Sequence, residues 1–88
     1  MYKRGGEIMN DLVDTIPLMQ SEDFKDRFKA EYYQLKIRLN KLAQMLLKYN
    51  ELDFTPNCSF DLLNGQLKIM EVYMDYLEER AEIEGIEL

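Results

Sequence analysis

Residues 24–49, FKDRFKAEYYQLKIRLNKLAQMLLKY, decide the architecture, because Phe28, Tyr32, Leu35, Leu39, Leu42, Leu46 and Tyr49 follow one another at alternating spacings of four and three. That is the period of an apolar helical seam. No Gly or Pro interrupts the stretch, and Ala, Leu, Lys, Gln, Met and Arg, which keep most of their rotamer freedom in a helix, fill most of the positions between. The spacing predicts one continuous helix, which at about 1.5 Å per residue is roughly 40 Å long. A rod of that length needs a partner to cover its stripe.

The partner follows in the chain. Leu63, Leu67, Met70, Met74, Leu77 and Ala81 repeat the same alternation, behind two candidate caps, Asn57 and Ser59, and ahead of Gly85, a natural helix stop. Between the helices lies ELDFTPNC, with Asn50 placed to take the left-handed C-terminal conformation and Leu52 and Phe54 placed to fold back under the turn. A connection this short makes its two helices antiparallel neighbours. Gly65 interrupts the second helix, where glycine costs about 0.5–1 kcal/mol against alanine. It marks a close crossing, a ligand at the backbone, or a tolerated exposed position.

Ahead of the hairpin, Ser21 is the expected N-cap of the first helix, with Glu22, Asp23 and Asp26 at the positive end of its dipole. From Asn10, another candidate cap, Leu12, Val13, Ile16 and Met19 fit one face of a short helix. Pro17 disfavours the helical region at Ile16, so that helix is expected to stop near Thr15 and the chain to run extended to Ser21. The arm either caps the hairpin's open end or crosses to a neighbouring subunit. Residues 1–8, MYKRGGEI, lack periodicity and are expected to be frayed. A translated purine-rich ribosome-binding sequence would also encode Lys-Arg-Gly-Gly-Glu, which makes Met9 the candidate native start. The expected division is a flexible N-terminus and short helical arm over 1–20 and a helical hairpin over 21–88, with helices near 22–49 and 59–84.

Composition narrows the function. Cys58 is the only cysteine and there is no histidine, which excludes an internal disulfide and a Cys/His zinc site and fits a reducing, cytoplasmic setting. Cys58 itself reads as a small, partly buried loop residue. No apolar run has the length of a membrane span or signal peptide. The net charge of −6 opposes non-specific DNA binding, yet it is unevenly spread: residues 1–20, 21–50 and 51–88 carry −1, +3 and −8. A basic helix precedes an acidic one.

Each helix also carries a second apolar set, Tyr33, Ile37, Met45 and Leu47 on the first and Leu62, Ile69, Val72, Tyr73 and Tyr76 on the second. One hairpin cannot bury two stripes per helix, so the fold class expected is an all-α, antiparallel helical hairpin with a short N-terminal arm, packed as a homo-oligomeric bundle. A dimer is the minimal solution, and higher assemblies such as a hexamer also satisfy it.

Catalysis has little support: there is no histidine, no nucleophile paired with a base and no glycine-rich phosphate loop. An enzyme is not expected, and neither is a cofactor. Glu71, Asp75, Glu78, Glu79 and Glu82 form an acidic face, not a metal site, since the Glu-x-x-His pattern of di-metal bundles is missing. Anion binding has better support. Lys25, Lys29 and Lys36 recur on one side of the first helix, Arg38 and Lys41 follow on adjoining faces, and Tyr32 and Tyr33 sit among them, which combines phosphate contacts with stacking rings. Two other readings stand beside it. The cations can pair with the acidic helix while the tyrosines fill the core, and the acidic second half can itself dock into a basic groove on a partner.

FKDRFKAEYYQLKIRLNKLAQML and FDLLNGQLKIMEVYMDYLEERAEIEG together resemble a family of short phage and prophage hairpin proteins named after a crAss-like phage product. The resemblance is carried by Arg27, Glu31, Leu35, Lys41 and Leu42 on the first helix and by Leu63, Gln66, Leu67, Met70, Tyr73, Leu77 and Arg80 on the second. That family looks related to the hairpin of phage sponges that sequester the cyclic-nucleotide signals of the CBASS and Thoeris defences. The resemblance implies a homo-oligomer that holds a cyclic or modified nucleotide between adjoining subunits without cleaving it, in the cytoplasm of an infected bacterial cell. It implies Lys29 and Arg80 as phosphate contacts and Tyr32 or Tyr33 as a stacking ring, which with Lys25 and Lys36 make up the candidate site. Those sponges end in small and aromatic residues, whereas this chain ends in EIEGIEL. The alternative function is a small protein-binding module that inhibits or scaffolds a host or phage protein.

Overall fold

The computed structural model describes residues 10–88, and the expectations for residues 1–8 and for Met9 lie outside them. The described residues are helical and contain no strand. A 3₁₀ turn at Leu12–Thr15 leads into α1 (Ile16–Met19), followed by α2 (Phe24–Leu47), a second 3₁₀ turn at Tyr49–Glu51 and α3 (Phe60–Glu84). The chain divides into two compact units, Met1–Ile37 and Arg38–Leu88, with α2 running from one into the other.

In the first unit the start of the arm differs from its sequence reading. Asp11, in an extended conformation, precedes the 3₁₀ turn, and the Asp14 carboxylate accepts from the amides of Asn10 and Asp11 at 3.2 and 3.1 Å. Asp14 therefore fastens the turn that Asn10 was expected to cap. The chain also does not run extended beyond Thr15. Ile16 is helical at φ −58°, ψ −47°, and Pro17 lies in the first turn of α1, where the missing N–H has no helical acceptor to lose.

Thr15 holds this arm in place. It is fully buried, its hydroxyl donates to the Leu12 carbonyl at 2.7 Å, and it accepts from Gln34 Nε2 of α2 at 2.9 Å. The same Gln34 nitrogen lies 2.9 Å from Met19 Sδ. Ala30 and Ile37 share the Gln34 face of α2 and are both buried. Ile37, expected among the leftover apolar residues, is thus core.

The start of α2 is displaced as well. Ser21 is not its cap: the Ser21 hydroxyl accepts from the Asp23 amide at 3.1 Å and donates to the Asp26 carboxylate at 2.8 Å. Asp23, immediately before the helix, accepts from the Lys25 amide at 2.9 Å and so takes the capping role. Arg27 reaches back to the Ser21 carbonyl at 2.7 Å. Of the predicted seam, Phe28, Tyr32, Leu35 and Leu46 are buried and Leu39, Leu42 and Tyr49 partly so.

In the second unit α2 stops at Leu47, which is 84% exposed. Asn50 does not provide a left-handed stop but lies inside the 3₁₀ turn, closed by the Glu51 amide donating to the Lys48 carbonyl at 2.8 Å. Phe54 does not fold under the connection; it is 59% exposed. Tyr49 organises the turn instead. Its hydroxyl donates to the Cys58 carbonyl at 3.1 Å and its ring meets Phe60 edge-on at 5.6 Å. Cys58 is exposed rather than partly buried.

Ser59 caps α3, accepting from the Leu62 amide at 3.1 Å. The α3 seam is covered at Leu67, Leu77 and Ala81, and partly at Leu63, Met70 and Met74. At its end Gly85 adopts φ 72°, ψ 33°, and the amides of Gly85 and Ile86 donate to Glu82 and Ala81. These bonds satisfy carbonyls that the helix leaves unpaired and turn Ile86 inward, where it is buried, so the residues after Gly85 do not simply trail.

The two glycines of α3 and its cap predict opposite responses. A Cβ at Gly65 meets nothing within 4 Å, so the close-crossing reading fails and Gly65→Ala is expected to raise stability by about 0.5–1 kcal/mol. Gly85→Ala is expected to lower it by about 1–2 kcal/mol, the cost of a side chain in the left-handed region. Urea titrations followed by circular dichroism check both signs.

Candidate functional site

Five of the six candidate binding residues lie on the part of α2 that belongs to the first unit. At about 100° per residue, Lys25, Lys29 and Lys36 fall on one narrow ridge of the helix, with Tyr32 on one flank and Tyr33 on the other. Lys25 and Lys29 are half-buried and Lys36 is exposed. Their ammonium groups ride on long aliphatic stems that can cover apolar surface while the charge stays in water.

The two tyrosines divide their roles. Tyr32 is only 6% exposed, a core residue of the α2 seam, and its ring meets that of Tyr33 edge-on at 5.2 Å. Lys36 Nζ lies 6.0 Å from the Tyr32 ring centre, at the outer limit of a cation–π contact. Tyr32 thus buttresses the ridge and does not present an open stacking face. Tyr33, half-buried, is the ring available to a ligand.

Among the described residues no carboxylate forms an ion pair with Lys25, Lys29 or Lys36; the ion pair on α3 joins Lys68 and Glu71 at 3.9 Å. Arg80, the sixth residue, lies in the second unit on the exposed face of α3 that carries Ile69, Tyr73 and Tyr76.

Sequence reasoning passed over a concavity in the second unit. A cleft of about 360 Å³ in the second unit is lined by Leu46, Leu47, Tyr49, Asn50, Glu51 and Phe60. The signal present in the sequence was Phe60, directly after the Ser59 cap and outside the α3 seam. Among the described residues no group of three or more Cys, Asp or Glu side chains converges as a metal site, and no helix is long and apolar enough to cross a membrane.

The Sequestin family model matches residues 22–83, well over half of the chain. The chain belongs to the Sequestin family. The match covers α2, α3 up to Ile83 and all six candidate residues, from Lys25 to Arg80, and leaves out the arm and the Gly85 stop. The Sequestin name is consistent with a sequestering function. No curated protein and no solved structure matches the chain.

The burial difference between the adjacent tyrosines gives a prediction. Tyr32→Ala is expected to cost about 3–5 kcal/mol of stability, as removal of a buried aromatic does, and Tyr33→Ala about 1 kcal/mol. Equal losses in thermal or urea unfolding would contradict the division of roles.

Proposed function

We propose that this protein sequesters a cyclic or otherwise modified nucleotide, without cleaving it, as a phage counter-defence protein in the cytoplasm of an infected bacterial cell. The carrying observation is the Lys25, Lys29 and Lys36 ridge, unpaired by any described carboxylate and bordered by the Tyr33 ring. Phosphate oxygens accept charge-assisted hydrogen bonds from such ammonium groups, and a base stacks on tyrosine. Membership of the Sequestin family supports retention of a ligand over its conversion.

In this reading α2 and α3 are the arms of an antiparallel hairpin, closed at the turn where Tyr49 meets Phe60. The hairpins assemble as a homo-oligomer, which supplies Arg80 as a further phosphate contact. The oligomer is supported by the apolar side chains that α3 leaves in solvent. That same exposed surface favours the second reading, a module that binds and inhibits or scaffolds a host or phage protein.

Native mass spectrometry of the protein, alone and with cyclic di- and trinucleotides or ADP-ribose-type signals, separates the two. Sequestration predicts a discrete mass gain by an oligomer and release of the ligand unaltered on denaturation. Lys29→Glu is expected to weaken binding by at least about tenfold, the loss of one charge-assisted contact plus repulsion, with the oligomer intact. No mass gain with any of these nucleotides would overturn the proposal and leave the protein-binding module.

A further inference from the structure

The outer face of α3 carries an exposed apolar stripe. Leu62, Ile69, Tyr76 and Ile83 recur at every seventh position and are 63, 71, 65 and 75% exposed. Val72 and Tyr73, also exposed, sit at the middle of the stripe. Adjacent heptad positions on a helix fall within a narrow arc, so these side chains form one continuous ridge, about a third of a turn away from the covered seam.

The spacing of the stripe is symmetrical. Counting from Leu62 forward or from Ile83 backward, the next residue of the stripe lies seven positions on and a further exposed apolar residue three beyond that, at Val72 and Tyr73. We infer that this face binds the same face of a second copy, with the two α3 helices antiparallel about a two-fold axis between Val72 and Tyr73. Leu62 then lies opposite Ile83 of the second copy and Ile69 opposite its Tyr76, and each pair forms twice, as an isologous contact requires.

Two further observations select this occupant and this direction. The six side chains offer on the order of 800 Å² per copy, about what a stable interface removes from each partner. Lys68 lies on the flank of the stripe that also carries Asp75 and Glu79. Antiparallel pairing brings like flanks together, which sets Lys68 between Asp75 and Glu79 of the second copy. In a parallel pair the same flank meets the opposite one, where no carboxylate lies at the level of Lys68. Among the described residues Lys68 pairs with Glu71, at 3.9 Å and with both side chains at least half exposed, a contact weak enough to exchange.

The inference deepens the self-association in the proposed function and is tested separately from nucleotide binding. In a Cys58→Ser background, Ile69→Cys and Tyr76→Cys chains are co-expressed or expressed singly and treated with a short bismaleimide. Cross-linked dimer is expected when the two chains are together and little when either is alone. Ile69→Glu is expected to cut the assembly mass in solution to half or less, with the helical circular dichroism signal retained. Cross-linking of Ile69→Cys chains to one another would establish a parallel pair and overturn the inference, as would an unchanged assembly mass in Ile69→Glu. A wild-type chain that is monomeric overturns both this contact and the homo-oligomer, whereas the mass gain with nucleotide still reports on the lysine ridge.

Discussion

Burial of an apolar seam along each long helix is the constraint on which the other features depend. Phe28, Tyr32, Leu35 and Leu46 on α2 and Leu67, Leu77 and Ala81 on α3 are removed from solvent, and removal of such side chains is worth about 1.5–3 kcal/mol each for the larger ones. A chain of 88 residues without a disulfide has few other sources of stability. The helix ends serve the seams: Asp23 and Ser59 cap the starts of the two long helices, and the turn at Gly85 delivers Ile86 to the buried side.

That constraint also shapes the candidate site. Because Tyr32 is spent on the core, the lysine ridge beside it rests on a fixed ring and not on a mobile one, and Lys25, Lys29 and Lys36 are separated by the helix geometry at positions set by packing.

Much of this was legible before the structure. The two seams, the Ser59 cap and the Gly85 stop all follow from local chemistry, as does the clustering of three lysines on one side of α2. The misreadings share a physical cause, which is that several local solutions compete and the surroundings choose among them. Ser21 has the chemistry of a cap, but its hydroxyl is engaged by Asp23 and Asp26, and Asp23 caps instead. Pro17 is unfavourable within a helix yet harmless in its first turn. Asn50 is suited to a left-handed residue, but a 3₁₀ turn closed on Lys48 satisfies the same backbone.

By itself the sequence determined that this protein is helical, where its two long helices run and which stripe of each is the seam, because periodicity is a property of neighbouring residues along one axis. Only the tertiary structure decided which of the second apolar faces is covered. The Gln34 amide finds Thr15 nineteen positions away, the arm settles on α2, and Ile37 becomes core. On α3 no described segment does the same, and Leu62, Ile69, Tyr76 and Ile83 stay in solvent. The reason is that spacing states which side chains share a face, whereas burial depends on a distant segment with the right hydrogen bonds to hold it there.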